Sequence, residues 1–510
     1  MTDNARPPVT RRRLLAGGGG LVAAAAVGGG GFAWGRSGRT ATADPSAPTA
    51  APHAFHTRPD LAIPVVDVRT TGPTAGGLVF LTPAAGGGGR GPLLVDGAGQ
   101  PVWFRQVTGP GVIAVDARVQ QLGGEPVLTW WEGTIDPKYG IGSGEFVIVD
   151  RAYKEIRRLR SPGPTPADQH DLLITARGSA IFFCYEPVGA DLRSVGGPAD
   201  AALVDCVLYE VDVATGKILF RWRGRDHIGV DESYAPAPSG ATARVPYDYL
   251  HANSLTVDTD GTLVMSARHT WTIYKIDRGS GAIRWRLGGK RSDFTMGPDA
   301  AFAWQHDARR RSDGTLSLFD NEAGVTTRSS ASRGLILAVD ETARTATLVR
   351  ALAHPDALLA PSQGSVQELP GGGSLVGWGQ QPRFTEYAAD GTLVASGALP
   401  ADNGSYRAYK FDWSGTPDDR PMVAAVRGTG EAVTVYASWN GATAVRRWRV
   451  RAGTQPDKLA VAATSGRDGF ETALSLTGPA VFVAVDALDA NGRTIGSSPV
   501  TAVPPAAAAG

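Results

Sequence analysis

Three histidines, His170, His251 and His306, occupy matching positions in a repeated pattern of the sequence. His170 and His306 each lie eight residues before a glycine turn that opens an apolar strand, and His251 lies ten residues before such a turn. If these histidines end equivalent strands that line one axis, their imidazoles converge on one pocket. A histidine in such a pocket can act as a nucleophile or as a general acid–base catalyst.

Two further polar side chains are placed to join the histidines. Asn253 lies two residues after His251 and therefore points to the same face of a strand. Arg268 closes the next strand, which an antiparallel return brings near His251, whereas His269 is expected to face the other way. Imidazoles, an amide and a guanidinium suit an anionic tetrahedral group such as sulfate or phosphate.

A three-histidine metal site is the competing interpretation. Because Arg268 would repel a cation there, no metal is expected.

Four other side chains have interpretations that the sequence leaves open. Trp131 and Trp304 lie near the repeat turns, where they either pack between strands or form a slot for a planar aromatic substrate. Cys184 and Cys206 are the only two cysteines, and both lie in strand-like runs. They form either a disulfide between neighbouring strands or two buried free thiols.

The elements that must position these residues come from an internal repeat. An apolar run, an acidic turn and a second apolar run recur six times, with a glycine turn before each copy. The aspartates of the acidic turns are Asp96, Asp150, Asp212, Asp277, Asp340 and Asp390. Six units of about four strands each predict an all-β fold, a six-bladed β-propeller over residues 58–415 that carries the catalytic pocket.

The sequence after the repeat is of a different kind. Residues 420–502 contain alternating apolar runs with tight Asn-Gly turns, which predict a small C-terminal β-sandwich of immunoglobulin or fibronectin type. The composition predicts a linker over residues 44–57 and a disordered tail over residues 503–510.

The first 43 residues are typical of an export signal of the twin-arginine type. Adjacent arginines precede a weakly apolar stretch without charge, and an Ala-Thr-Ala site follows it. Cleavage would leave the protein extracellular or in the cell envelope, whereas an uncleaved signal would anchor it in a membrane. The formal net charge is only +1, so no nucleic-acid partner is expected.

Four segments, in order, resemble the bacterial arylsulfate sulfotransferases. They are residues 249–254 (YLHANS), 266–269 (SARH), 302–307 (FAWQHD) and 318–321 (LFDN). Two more, residues 129–133 (TWWEG) and 168–171 (DQHD), are similar to an actinobacterial and fungal branch of that family.

The resemblance implies a six-bladed propeller that moves a sulfuryl group from an aryl sulfate donor to a phenol acceptor, without a nucleotide donor or any cofactor. It implies that His306 is the nucleophile and forms a sulfohistidine. His251, Asn253 and Arg268 would bind the sulfuryl oxygens, and His170 would either complete the oxyanion pocket or assist protonation of the leaving phenolate. The C-terminal domain departs from the well-studied members, which carry a small β-domain before the propeller, so a homodimer like theirs stays open.

Two other functions remain open from the sequence. The first is a non-catalytic cell-surface propeller that binds sulfated or anionic ligands. The second is a sulfate-ester hydrolase, in which water resolves the histidine adduct. Turnover by the intact protein separates the first from an enzyme, and acceptor-independent release of sulfate identifies the second.

Overall fold

The structure is a computed structural model that describes residues 51–237, 239–242, 245–322 and 331–505. Over these residues the chain is nearly all-β, with mostly antiparallel sheets, as the sequence predicts. Its helical elements in this part are four 3-10 turns, Arg193–Val195, Gly224–Asp226, Val230–Glu232 and Pro370–Gly372. No helix in the described ranges is long and apolar enough to cross a membrane. The predicted export signal lies outside the described residues.

Twenty-six strands precede residue 412. They are β1 (Asp67–Thr70), β2 (Leu78–Leu81), β3 (Leu93–Val95), β4 (Pro101–Phe104), β5 (Ile113–Leu122), β6 (Glu125–Ile135), β7 (Gly142–Val149), β8 (Glu155–Leu159), β9 (Ala167–Ile174), β10 (Ser179–Ala190), β11 (Ala201–Asp212), β12 (Ile218–Arg223), β13 (Ala252–Val257), β14 (Leu263–Ala267), β15 (Thr272–Ile276), β16 (Ile283–Gly288), β17 (Thr295–Met296), β18 (His306–Arg310), β19 (Leu316–Asp320), β20 (Arg333–Asp340), β21 (Thr345–Ala353), β22 (Ser365–Glu368), β23 (Ser374–Gly377), β24 (Arg383–Tyr387), β25 (Leu393–Ala398) and β26 (Tyr409–Phe411).

These strands form successive antiparallel groups that follow the repeat. The orders are β26-β2-β3-β4, β5-β6-β7-β8, β9-β10-β11-β12, β13-β14-β15-β16, β18-β19-β20-β21 and β22-β23-β24-β25. A single bridge between Gly144 and Ala167 joins the second group to the third. The first and last strands of this region pair with strands from its opposite ends. β1 pairs with β25, and β26 pairs with β2.

The first strands of the groups touch one another in a closed ring. Contacts run from β26 to β5, β9, β13, β18 and β22, and then back to β26. Sequence spacing alone could not show that the histidine-bearing strands are the innermost ones. In the structure, β9, β13 and β18 are neighbours within the ring, so the strands that carry the histidines are inner strands.

The repeated aspartates form the turns inside each group. Each of the six accepts a hydrogen bond from a backbone N–H two to four residues further on. Aspartate favours such turns because its side chain satisfies backbone donors that the turn leaves unpaired. The acidic turn identified in the sequence is therefore a local hydrogen-bonding device that recurs once per group.

The C-terminal region holds the remaining strands in two sheets around one apolar core. The strands are β27 (Met422–Arg427), β28 (Val433–Ser438), β29 (Arg447–Gly453), β30 (Ala460–Gly466), β31 (Glu471–Leu476), β32 (Phe482–Leu488), β33 (Thr494–Ser497) and β34 (Thr501–Ala502). The sheet orders are β27-β28-β31 and β30-β29-β32-β33, with β34 also paired to β32. Val435, Trp448 and Val485 are buried between them.

Both segments flanking these two regions differ from their predicted character. Residues 51–57, predicted as a linker, include His56, whose ring stacks 3.9 Å from that of Tyr436. Thr57 Oγ1 lies 2.6 Å from Ser438 Oγ, which fixes the segment to the C-terminal sheets. Val503, predicted to begin a disordered tail, is buried in the C-terminal core. Apolar and polar complementarity holds both segments in place, whereas composition alone favoured flexibility.

Cys184 and Cys206 are both buried free thiols. In the pairing of β10 with β11, Cys184 stands opposite Val207, and Cys206 stands opposite Tyr185. Paired residues share a face and successive residues alternate, so the two sulfurs point to opposite faces of the sheet. The pairing that brings the strands together therefore prevents the disulfide that the sequence left open.

Candidate active site

The three predicted histidines meet at the ring of inner strands. His170 lies in β9, His251 immediately precedes β13, and His306 is the first residue of β18. All three are buried, and the ring centroids of His170 and His251 are 4.8 Å apart. The repeat places one histidine on each of three adjacent strands, so the structure brings together the residues that the sequence identified.

Each histidine has its Nδ1 atom held by a side-chain oxygen. The bonds join His170 to Asp168 Oδ1 at 2.5 Å, His251 to Asp248 Oδ2 at 2.6 Å, and His306 to Asn321 Oδ1 at 2.7 Å. Since these oxygens accept, Nδ1 donates in each case. In His251 and His306, whose pKa values burial lowers, Nε2 is then the nitrogen with a lone pair. The spacing argument did not identify Asp168, Asp248 or Asn321. Asp168 and Asn321 do lie inside the family-like segments, which were the available signal.

Burial keeps the His306 imidazole neutral. Desolvation is the main reason that the pKa of His306 lies well below its usual range, and the nearby Arg268 guanidinium lowers it further. The hydrogen bond to Asn321 opposes this shift, while His170 and His251 add to it. A neutral imidazole with its electron pair on Nε2 is the form that acts as a nucleophile.

Arg268 reaches His251 through the strand pairing that the sequence predicted. Its backbone N–H donates to the carbonyl of His251 at 2.9 Å. Its side chain donates to Pro361 O at 3.3 Å, lies 3.0 Å from Nε2 of His269, and stacks over the Trp304 ring at 4.9 Å. Burial lowers the pKa of Arg268 to about 10, with Asp248 opposing the shift.

The Arg268 charge has no close anionic partner. Among the described residues the guanidinium contacts Pro361 O and His269 Nε2 but no carboxylate within 4.0 Å, and the buried Nε atom has no hydrogen-bond acceptor. A buried charge is normally paired, because desolvating it alone is costly. An anionic ligand at Arg268 would supply such a partner, as the sequence predicts for this residue.

Asn253 has a different position from the one predicted. A register shift in the pairing of β13 with β14 falls at this residue, so simple alternation from His251 does not apply. Its side-chain amide donates to Gln305 O at 2.7 Å, and its backbone carbonyl accepts from Arg407 at 2.8 Å. Asn253 therefore links neighbouring inner strands, while its buried Oδ1 has no hydrogen-bond partner among the described residues. Binding of the sulfuryl oxygens by this residue stays a prediction.

The prediction that His269 faces away from the site is wrong. Its ring lies 4.8 Å from that of His251, and its Nδ1 lies 2.7 Å from Asp248 O. Strand β14 ends at Ala267, so the alternation of faces assumed for Arg268 and His269 does not continue. Burial lowers the pKa of His269 to about 3, so its ring is neutral as well.

The two tryptophans proposed for a substrate slot have different environments. Trp131 is fully buried and donates to Ala167 O at 3.0 Å, and a Cβ on Gly144 would lie 2.5 Å from its ring. It packs between sheets and lines no slot. Trp304 is also buried but lies at the site, edge-on to His269 at 5.7 Å and to Trp271 at 5.5 Å.

Among the described residues, one group of side chains lies close enough together to act as metal ligands. It contains Asp248, His251 and His269, not the three histidines considered from the sequence. Two contacts compete with a cation there. Asp248 already accepts from His251 Nδ1, and the Arg268 guanidinium lies 3.0 Å from His269 Nε2. A positive charge at a ligand atom disfavours a metal ion at this point.

A network of buried charges joins the inner strands next to the site. Arg407 is fully buried and lies 3.1 Å from Asp116, 3.5 Å from Asp171 and 3.4 Å from Asp307. Asp171 and Asp307 directly follow His170 and His306 in the chain, and Arg407 also holds the Asn253 carbonyl. This network fixes the strand ends from which the site residues project.

These features define an all-β protein with a cluster of buried histidines and one buried arginine at a ring of inner strands. The family model described as arylsulfotransferase (ASST) matches residues 118–399, which is more than half of the chain. The chain therefore belongs to the arylsulfotransferase family. No curated protein sequence matches the chain.

Several solved structures are similar to this one at low sequence identity. A periplasmic gluconolactonase from Pseudomonas aeruginosa is 12% identical, and the match covers 79% of this chain and 99% of that one, with a TM-score of 0.35. A protein of unknown function from Bacteroides caccae is 10% identical over 65% of this chain and 98% of that one, with a TM-score of 0.39. A protein from Lactobacillus plantarum is 13% identical over 78% and 99%, with a TM-score of 0.36.

Proposed function

We propose that this protein transfers a sulfuryl group from an aryl sulfate to a phenol through a sulfated His306, without a nucleotide donor. The observation that carries the proposal is the pairing of two groups in one buried site. His306 is neutral with its lone pair on Nε2, and Arg268 is a buried cation without a close carboxylate. A nucleophile beside a guanidinium that has no carboxylate partner suits attack on an anionic ester.

The first half-reaction forms the sulfohistidine. The Nε2 lone pair of His306 forms a bond to sulfur while the S–O bond to the aryl group breaks, and the phenolate leaves with the bonding pair. Nδ1 keeps its proton, which stays hydrogen-bonded to Asn321 Oδ1, so the sulfated ring carries a positive charge beside the sulfuryl oxygens. Arg268 binds those oxygens as charge shifts toward the leaving group.

The second half-reaction returns the enzyme to its starting state. The acceptor phenol gives its proton to Nε2 of His251, whose Nδ1–H is held by Asp248. The phenolate oxygen forms a bond to sulfur, the N–S bond breaks, and its electron pair returns to His306. The proton on His251 passes to solvent. Two separate half-reactions predict ping-pong kinetics.

The proposed setting of the site is a six-bladed β-propeller followed by a C-terminal β-sandwich. The closed contacts among the six inner strands and the two sheets around one apolar core support this architecture. Export by a twin-arginine route is part of the same proposal and rests on residues 1–43 of the sequence.

The test is turnover of a nitrophenyl sulfate with and without an added phenol. The proposal predicts nitrophenol release that rises with the acceptor and is lost in His306→Gln. His227→Gln is the matched control, because His227 is only partly buried and stacks on Trp222 away from the site. No release by the wild-type protein across several aryl sulfates would contradict the proposal. Release of free sulfate that does not depend on an acceptor would identify a hydrolase instead.

A further inference from the structure

Gln363 contacts the proposed nucleophile, although no family-like segment contains it. Its backbone N–H donates to Nε2 of His306 at 3.2 Å. Its carbonyl accepts from the Asn321 amide at 3.0 Å, and Asn321 holds the other nitrogen of the same ring. The peptide units on either side of Gln363 therefore touch both the attacking atom and the residue that orients it.

The hydrogen bonds of Asn321 determine which nitrogen of the His306 ring carries the proton and which one accepts from Gln363. The Asn321 amide N–H groups donate to Ala360 O at 2.8 Å and to Gln363 O, which turns its oxygen toward His306. An amide oxygen only accepts, so Nδ1 of His306 carries the proton and Nε2 carries the lone pair. The Gln363 N–H is thus bonded to the electron pair that must attack sulfur.

The side chain of Gln363 is the second part of the inference. It is fully buried, and neither its amide nitrogen nor its amide oxygen has a hydrogen-bond partner among the described residues. An unsatisfied buried amide is costly, because it has lost its hydrogen bonds to water without replacing them, and it calls for an explanation. Because its backbone N–H already contacts Nε2, this amide lies within one side-chain length of the reacting atom.

The loop that carries Gln363 is built to hold it there. Gln363 has a φ of 67°, which is unfavourable for a residue other than glycine, and Gly364 follows with a φ of 106°. A Cβ on Gly364 would lie 2.4 Å from the Phe319 ring, so only glycine lets this loop approach so closely. Strain of this kind persists where the surroundings fix the backbone, and it is concentrated at functional sites.

We propose that Gln363 is a further catalytic residue of this site, with two donors for the sulfuryl group. In the resting protein its backbone N–H covers the His306 lone pair. When an aryl sulfate binds, this N–H shifts to a sulfuryl oxygen, and the side-chain amide donates to a second one. The N–S bond then forms as the S–O bond breaks, and both donors stabilise the oxygens during transfer. The inference rests on the proposed function.

The first test compares Gln363→Ala with wild-type protein in nitrophenyl sulfate turnover. Loss of one donor predicts a fall in kcat of about 10²- to 10³-fold. Gln381→Ala is the matched control, because Gln381 donates to Leu359 O of the same loop but contacts no site residue. A kcat for Gln363→Ala within about threefold of the Gln381→Ala value would overturn the inference.

Gln363→Glu adds a readout that a purely structural role would not move. A carboxylate repels the sulfuryl oxygens, whereas a protonated carboxyl can donate to them. Activity relative to wild type is therefore expected to rise as the pH is lowered toward 5. A relative activity that does not change with pH would contradict donation by this side chain.

Calorimetry with inorganic sulfate separates this inference from the proposed function. Wild-type protein is expected to bind sulfate at least about tenfold more tightly than Gln363→Ala. If that difference appears but wild type releases no nitrophenol, the proposed function fails and Gln363 remains an anion ligand. Equal affinities, or no sulfate binding by wild type, would overturn the role of Gln363.

Discussion

Asn321 Oδ1 accepts a hydrogen bond from His306 Nδ1 at 2.7 Å, and this contact determines which ring nitrogen can attack. The two residues stand 15 positions apart in the sequence and meet because β18 pairs with β19. Without that acceptor the ring can place its proton on Nε2, where it blocks nucleophilic attack. Orientation of His306 is therefore as much a part of the site as the histidine itself.

Asn321→Ala is expected to lower kcat for aryl sulfate turnover by about 10²-fold or more, since the productive tautomer loses its support. Steady-state kinetics on folded, monodisperse protein measure the effect. Asn403→Ala is the control, because Asn403 is also buried and bonded to backbone groups, at Ala84 and Ala85. A similar loss in both variants would show that the effect reflects packing and not the tautomer.

Arg268→Met is expected to reduce kcat/KM by at least about 10²-fold while leaving the thermal midpoint unchanged or higher. The buried guanidinium lacks a carboxylate within 4.0 Å in the described ranges, so removing it relieves a desolvation cost. Thermal unfolding beside kinetics measures both. Arg278→Met provides the contrast, because Arg278 pairs with buried Glu210 at 2.7 Å and its loss should lower the midpoint. A large fall in the Arg268→Met midpoint would contradict this account of the charge.

Acidification is expected to destabilise the protein below pH 6.5 through its buried histidines. Burial lowers the pKa of His251 and His306 well below 6.5 and that of His269 to about 3. Between pH 6.5 and the folded-state pKa the unfolded chain binds protons that the folded chain does not, so stability falls as pH falls. For His269 the loss between pH 6.5 and 5 is about 2 kcal/mol. Burial raises the pKa of Asp205 to about 6 and that of Asp320 to about 7, and these carboxyls oppose the histidines as pH falls. Urea unfolding of wild type and His269→Gln across this range isolates the histidine contribution, and an equal pH dependence of the two would contradict the prediction.

Arg407→Leu is expected to destabilise the fold by about 3–5 kcal/mol, because Asp116, Asp171 and Asp307 would then share only Arg118 and Arg309. One buried negative charge would be left uncompensated. Urea unfolding measures the change. Arg177→Leu is the control, since Arg177 is largely exposed and its ion pair with Glu210 should contribute less than about 1 kcal/mol. Equal stability of the two variants would show that the network does not hold the inner strands.

The repeat made the main part of the site predictable from the sequence. Histidines at equivalent positions of three repeats lie in, or directly before, three adjacent strands. His170, His251 and His306 were therefore identified together. Turn glycines and aspartates act locally, which is why spacing alone located them. The same local rule failed at His269, where the strand ends and side chains no longer alternate.

Contacts made across the fold were beyond the reach of local patterns. Gln363 stands 57 positions from His306 and reaches it through the loop before β22, a relationship that no spacing reveals. Asn253 lies at a register shift that simple alternation does not anticipate. Trp131 is an aromatic residue near a repeat turn, which allowed a role in substrate binding, but the strand pairing places it in the core.

The most direct test of the central claim is the mass of the intact protein after mixing with an aryl sulfate in the absence of an acceptor. The account predicts a gain of one sulfuryl group, located on His306 by fragmentation and lost when a phenol is added. His306→Gln should show no gain. A wild-type protein that releases nitrophenol but never carries the sulfuryl group on His306 would contradict the mechanism.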